Sequence, residues 1–281
     1  MNETGVTIAS ATPLMPKRLV PFLRGLANLL VVCGLGIGIQ PVLHRFLPRA
    51  VAGPLAAAVL LALYFAGARW IEGRRAVELR PDDCARGIGI GLALGIALFS
   101  SVMGILWLAG IYQPAGWGHW QPLALAVLSS LAGAVFEEVI FRGFLFRLIA
   151  GLGGNWIALG VTSALFGLAH IRNPGATWAS SLAVAIEAGL LLGAAYAASG
   201  SLWLPIGIHA GWNFAEGPGF GMEVSGHAGT SSWISGQLHG PAILTGGAFG
   251  PEASIVAVAV CLVLATFYLR NMRRVDPASV S

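Results

Sequence analysis

The chain has 281 residues, of which 56% are hydrophobic and 10% charged, with a formal net charge of +4. Soluble domains carry about 25% charged residues, and here long apolar stretches recur from end to end, which excludes a soluble domain and indicates a polytopic membrane protein. Basic residues collect in loops and at the ends, a pattern that suits an anionic membrane surface rather than nucleic acid.

In chain order, a polar lead with Pro13, Pro16, Lys17 and Arg18 runs into a first apolar span at about Phe22–His44. That span is too long for a signal-peptide core and has no small-residue cleavage site after it, so it reads as an uncleaved transmembrane helix. A second span covers about Val51–Trp70. The segment Arg69–Arg86, with Arg74, Arg75, Arg80, Asp82 and Asp83, is the most polar internal stretch and reads as a cytoplasmic loop. The third span, about Gly87–Ile111, ends at Trp117, His119 and Trp120, which suit an interfacial belt on the opposite side.

Five further spans are expected at about Pro122–Ile149, Gly154–His170, Trp178–Ser199, Leu202–Glu216 and Ala253–Arg270. The fold class is therefore all-α: a transmembrane helical bundle of about eight helices around a polar intramembrane cavity. The domains are an N-terminal tail at 1–21, one membrane domain at 22–270 and a C-terminal tail at 271–281. Lys17, Arg18, Arg24, Arg147, Arg270, Arg273 and Arg274 favour cytoplasmic termini, against Arg45, Arg49 and Arg172 on the other side. The connection 217–251 has no Lys or Arg and many Gly and Ser; it reads either as a floppy loop or as a segment folded back over a cavity. Cys33, Cys84 and Cys261 have no metal-site or redox spacing, so neither a disulfide nor cysteine chemistry is expected.

Three polar clusters interrupt the apolar spans. In LAGAVFEEVIFRGFLF, Glu138 and Arg142 are four apart and share a helical face, whereas Glu137 points about 100° away. His170 follows Phe166 by four residues, and His209 and Asn213 are again four apart, so an imidazole and a carboxamide converge. Each ionised group costs about 2.5–3.5 kcal/mol at the centre of a membrane helix. Singly, the ion pair, His170 and Asn213 could be packing or helix-helix hydrogen-bonding groups; together on three helices they indicate a site. Glu187 either lines the same cavity or pairs with Arg172, and His227 and His239 read as solvated loop residues. A non-proteolytic membrane regulator or immunity-type scaffold, or a small proton-coupled transporter, would also use such residues.

EEVIFR (Glu137, Glu138, Arg142), FGLAH (Phe166, His170) and HAGWN (His209, Asn213) resemble, intact and in order, the three signatures of the CAAX protease and bacteriocin-processing family, also called Abi. LTGGAFGPE, Leu244–Glu252, also resembles a segment of bacterial members. The resemblance implies an intramembrane endopeptidase with its protease core at 122–216, in a bacterial inner membrane, acting on membrane-associated peptides such as prenylated CAAX-like tails or leader peptides. It implies Glu137 as the general base assisted by His170, His209 and Asn213 as oxyanion donors, and Glu138 with Arg142 holding the helix of the base. Glu137, His170 and His209 could instead hold zinc, but the His-Glu-x-x-His helix of zinc peptidases is absent, which favours a mechanism without a metal cofactor.

Overall fold

The computed structural model describes residues 19–229 and 231–272. The expected tails, with Lys17, Arg18, Arg273 and Arg274, lie outside the described residues except for 19–21, which open the first helix, and 271–272, which follow the last. Eight helices occupy the eight expected positions: α1 (Leu19–Phe46), α2 (Ala50–Glu72), α3 (Pro81–Leu108), α4 (Leu123–Gly153), α5 (Asn155–Ala169), α6 (Trp178–Ser199), α7 (Trp203–Phe214) and α8 (Ile255–Arg270). Among the described residues, five of them, α1 to α4 and α6, are long and apolar enough to cross a membrane. The others have 15, 12 and 16 residues. At 1.5 Å per residue they span about 18–24 Å, short of a hydrocarbon core of about 30 Å. Glycine and proline set these lengths: Asn173, Pro174 and Gly175 follow α5, Gly217 and Pro218 close the π-helical extension of α7, and Pro251 precedes α8.

The helices form a bundle with α6 at its centre: 67% of its most apolar window is buried, against 17% for α1. Side chains such as Leu30 and Ile37 of α1 and Val263 of α8 point outward, as lipid-facing residues do. The tightest seam joins α3 to α7. A Cβ on Gly91 would lie 2.6 Å from the Gly207 Cα, one on Gly95 would lie 2.1 Å from the Ile208 carbonyl, and one on Gly211 would lie 2.4 Å from the Leu92 carbonyl. Glycines four apart on both helices therefore let the two backbones touch, the usual means of association in lipid, where apolar side chains gain nothing by leaving the bilayer. Gly211 lies between His209 and Asn213, so this seam seats the third polar motif.

An all-α chain was expected, and the structure adds a two-stranded antiparallel ribbon of β1 (Tyr112–Trp117) and β2 (Ile234–Leu238). Its register breaks between Pro114 and Gly116, where proline lacks the amide hydrogen that a ladder needs. Trp120 stacks on Trp233, with ring centroids 5.8 Å apart. The 217–251 connection is thus tied to the 112–120 connection, and of its two readings the structure shows the folded one. Gly226 donates its amide to the carbonyl of buried Phe249, which seats the turn beneath it.

The Arg69–Arg86 segment, expected as a cytoplasmic loop, carries a buried ion network at Glu72, Arg74 and Glu78. Arg74 bonds Glu72 and Glu78, each at 2.9 Å, and Arg147 reaches Glu72 at 2.8 Å. Burial disfavours the Arg74 charge, but Tyr64, Glu78 and Glu72 outweigh that and hold its pKa above the ordinary arginine value. The Tyr64 hydroxyl contacts Glu78 and donates to the Gly143 carbonyl at 2.9 Å, which also accepts from Arg147 Nε at 3.0 Å. The network therefore grips α4 one residue beyond Arg142.

Gly95→Leu places a side chain in the α3–α7 contact and should cost about 1–3 kcal/mol through overpacking. Gly104→Ala, where nothing lies within 4 Å, should be tolerated. Melting temperatures of the purified variants in detergent check this; equal melting temperatures would contradict the seam.

Candidate functional site

Among the described residues four π-helical turns occur; one, Ala68–Glu72, closes α2, and the polar groups of the candidate site collect on or beside the other three. Val139–Phe146 in α4 contains Arg142, Ala185–Leu190 in α6 contains Glu187, and Ala215–Gly219 beyond α7 contains Glu216. A π turn widens the helix and loosens the regular ladder of carbonyl acceptors, and it recurs at functional positions.

Glu138 and Arg142, both fully buried, form the expected pair, with Arg142 Nη1 donating to Glu138 Oε1 at 2.7 Å. Arg142 Nη2 donates to the carbonyls of Ala188 and Gly189, each at 3.1 Å, in the π turn of α6. Its guanidinium carbon also lies 4.6 Å from the centroid of Phe166, a cation-π contact that gives the first residue of FGLAH a physical role. Four neighbouring groups on α4, α5 and α6 thus hold one cation.

The same Glu138 oxygen accepts a second hydrogen bond, from His209 Nδ1 at 3.0 Å. A carboxylate only accepts, so Nδ1 carries the hydrogen and Nε2 is the nitrogen left for other partners. Glu138 therefore joins α4 to α7 and orients His209. Helical spacing identifies the partner on the same helix, and this contact across 71 residues has no local sequence signal.

Glu137 stands apart. Its side chain is 36% exposed, and its Oε2 lies 3.8 Å from His170 Nε2, close yet beyond direct hydrogen bonding. His170 Nδ1 lies 2.8 Å from the Phe166 carbonyl, to which it donates. In the neutral ring the lone pair of Nε2 then faces the carboxylate, and a group that donates to both satisfies the pair.

His170, His209 and Asn213 line one cavity of ≈ 380 Å³, its open mouth included, whose apolar wall comes from Leu191, Leu192 and Ile208. Glu137 is not among its lining residues; His170 connects the two. Of the readings open for Glu187, the structure places it on this cavity, 3.8 Å from the Cys261 thiol and not on Arg172. Glu252 also lines it, and buried Glu216 bonds the Trp212 indole at 3.1 Å. These last two carboxylates were not singled out by sequence reasoning. Glu216 stood at the end of an expected span, and Glu252 closed the segment LTGGAFGPE, to which no chemistry was attached. His227 and His239 are exposed loop residues, as expected.

Glu137, His170 and His209 are the three side chains that zinc would need. Among the described residues no three His, Cys, Asp or Glu side chains are placed to hold a metal ion.

Residues 119–215 match the family model for Rce1-like proteins, described as type II CAAX prenyl endopeptidase Rce1-like. All three polar motifs fall inside the matched segment. No curated protein and no solved structure matches the chain.

Arg142→Met strands the buried Glu138 charge and should destabilise the protein by about 3–5 kcal/mol, with much of the loss recovered in the Glu138→Met, Arg142→Met double variant. Chemical unfolding in detergent measures both. An additive double variant would show that the pair is not coupled.

Proposed function

We propose that this chain, a member of the CAAX protease and bacteriocin-processing family, is an intramembrane endopeptidase that hydrolyses peptide bonds of membrane-associated substrates. The observation that carries the reading is Glu137, partly exposed and 3.8 Å from the Nε2 atom of a histidine that lines the cavity shared with His209 and Asn213.

In this reading a water molecule donates to Glu137 and to His170 Nε2, and Glu137 removes its proton as the oxygen attacks the substrate carbonyl. The Phe166 carbonyl fixes the His170 tautomer that accepts from water. The protonated Glu137 then returns its proton to the leaving amine. His209, held at Nδ1 by Glu138, donates from Nε2 in its imidazolium form, and Asn213 supplies a carboxamide hydrogen to the same developing oxyanion. Arg142 holds Glu138 by an ion pair, and Glu138 orients the His209 ring. The apolar wall of the cavity suits an apolar substrate side chain, as prenylated CAAX-like tails or leader peptides would present. The mechanism uses no metal, a reading supported by the placement of the ligating side chains. In this reading the chain is embedded in a bacterial inner membrane with both termini cytoplasmic.

Glu137→Gln should lower cleavage of a membrane-anchored peptide by about 10²–10⁴-fold, and Asn213→Ala by about 10²–10³-fold, without loss of folding. Chelators should leave the wild-type rate unchanged. Full activity of Glu137→Gln would overturn the assignment of the base, and loss on chelation with recovery on zinc would overturn the metal-free mechanism.

A further inference from the structure

A second cavity, distinct from the one that holds the histidines, lies where α3 begins and α6 ends, with ≈ 1120 Å³ of space including its open mouth. Arg80 and Arg86 line it, and neither guanidinium has an ion-pair or hydrogen-bond partner among the described residues. Asp83, the one acidic lining residue, is three positions from each and pairs with neither. On the facing wall, Ser201 Oγ accepts from the Trp203 amide at 3.3 Å, which leaves its own hydrogen free to donate into the cavity. The Tyr268 hydroxyl is a further lining donor. The Arg80 backbone is pinned by the Trp203 indole, which donates to its carbonyl at 2.9 Å. The cavity is therefore rich in hydrogen-bond donors, with both arginines exposed, and carries a net positive lining.

Its level in the molecule identifies the ligand. The apolar spans Pro81–Leu108 and Trp178–Ser199 both terminate at this cavity, so it sits at the boundary between hydrocarbon and water. On its membrane side lie Leu204 and Ile90, the latter 46% exposed on the outer surface of α3. A ligand that fits has a phosphodiester for the two guanidiniums, and an acyl chain to continue past Ile90. We infer that this cavity is a binding site for one anionic phospholipid, the headgroup phosphate held between Arg80, Arg86 and Ser201. The site is separate from the proposed chemistry and does not depend on it.

Native mass spectrometry of the full chain, stripped of lipid in detergent and titrated with phosphatidylglycerol or phosphatidylcholine, tests this. Wild type should retain phosphatidylglycerol preferentially, and Arg80→Gln with Arg86→Gln should weaken that retention about tenfold or more. The Arg69→Gln, Arg75→Gln control, which removes two exposed arginines outside the cavity, should not. Equal loss in the control would reduce the effect to bulk charge and overturn the site, as would equal retention of the two lipids. Displacement of the lipid by inorganic phosphate alone would show a free-anion site and overturn the lipid assignment. Because all the variants lie away from the histidine cavity, peptide cleavage by them reports separately on the proteolytic reading.

Discussion

Glu138 is the charge on which the rest of the site depends. It is fully buried inside a membrane bundle, where an unpaired carboxylate is among the most costly groups a helix can carry. One of its oxygens accepts from Arg142 on its own helix and from His209 on α7. Arg142 in turn extends to carbonyls of α6 and to the ring of Phe166 on α5. Four helices are thereby tied to one ionic centre. Each member is acceptable in lipid because the others are present, so the motifs on separate helices form one electrostatic unit.

That unit needs a scaffold that can bring polar backbone close to polar side chain, and two devices supply it. Glycines along α3 and α7 allow backbone contact, which holds the helix carrying His209 and Asn213 without bulky packing. The π turns of α4 and α6 place Arg142 opposite the carbonyls of Ala188 and Gly189. At one end of α4 the network of Tyr64, Glu72, Glu78, Arg74 and Arg147 fastens the same turn from outside, through the Gly143 carbonyl. Local helix irregularity and buried charge are thus coupled: the π turns of α4 and α6 present carbonyl acceptors that Arg147 and Arg142 use.

The division between the two glutamates follows from this arrangement. Glu138 is saturated on one oxygen by two cationic or potentially cationic partners and has no access to solvent. Glu137, one residue away and turned about 100° around the helix, keeps partial exposure and stands beside a histidine at a distance that leaves room for a small bridging group. A single helical register thus produces one structural carboxylate and one available for chemistry. The acidic wall of Glu187, Glu216 and Glu252 on and behind the cavity adds buried carboxylates to the neighbourhood of the histidines, drawn from α6, the end of α7 and the turn before α8.

Composition and spacing alone determined the membrane class, the helical character of the apolar runs and the Glu138–Arg142 pair, and singled out six polar residues as a candidate site, because hydrophobic runs and the four-residue helical repeat are local properties. Tertiary structure decided how those residues are connected. It assigned His209 to Glu138, placed Phe166 under Arg142, folded 217–251 onto the β-ribbon, and brought Glu187 and Glu252 into the cavity. It also shortened three helices below the length expected of a simple span and built a buried ion network into the 69–86 connection. These outcomes rest on contacts between segments far apart in the chain, whose partners are chosen by three-dimensional packing and desolvation, and no local pattern of residues encodes that choice.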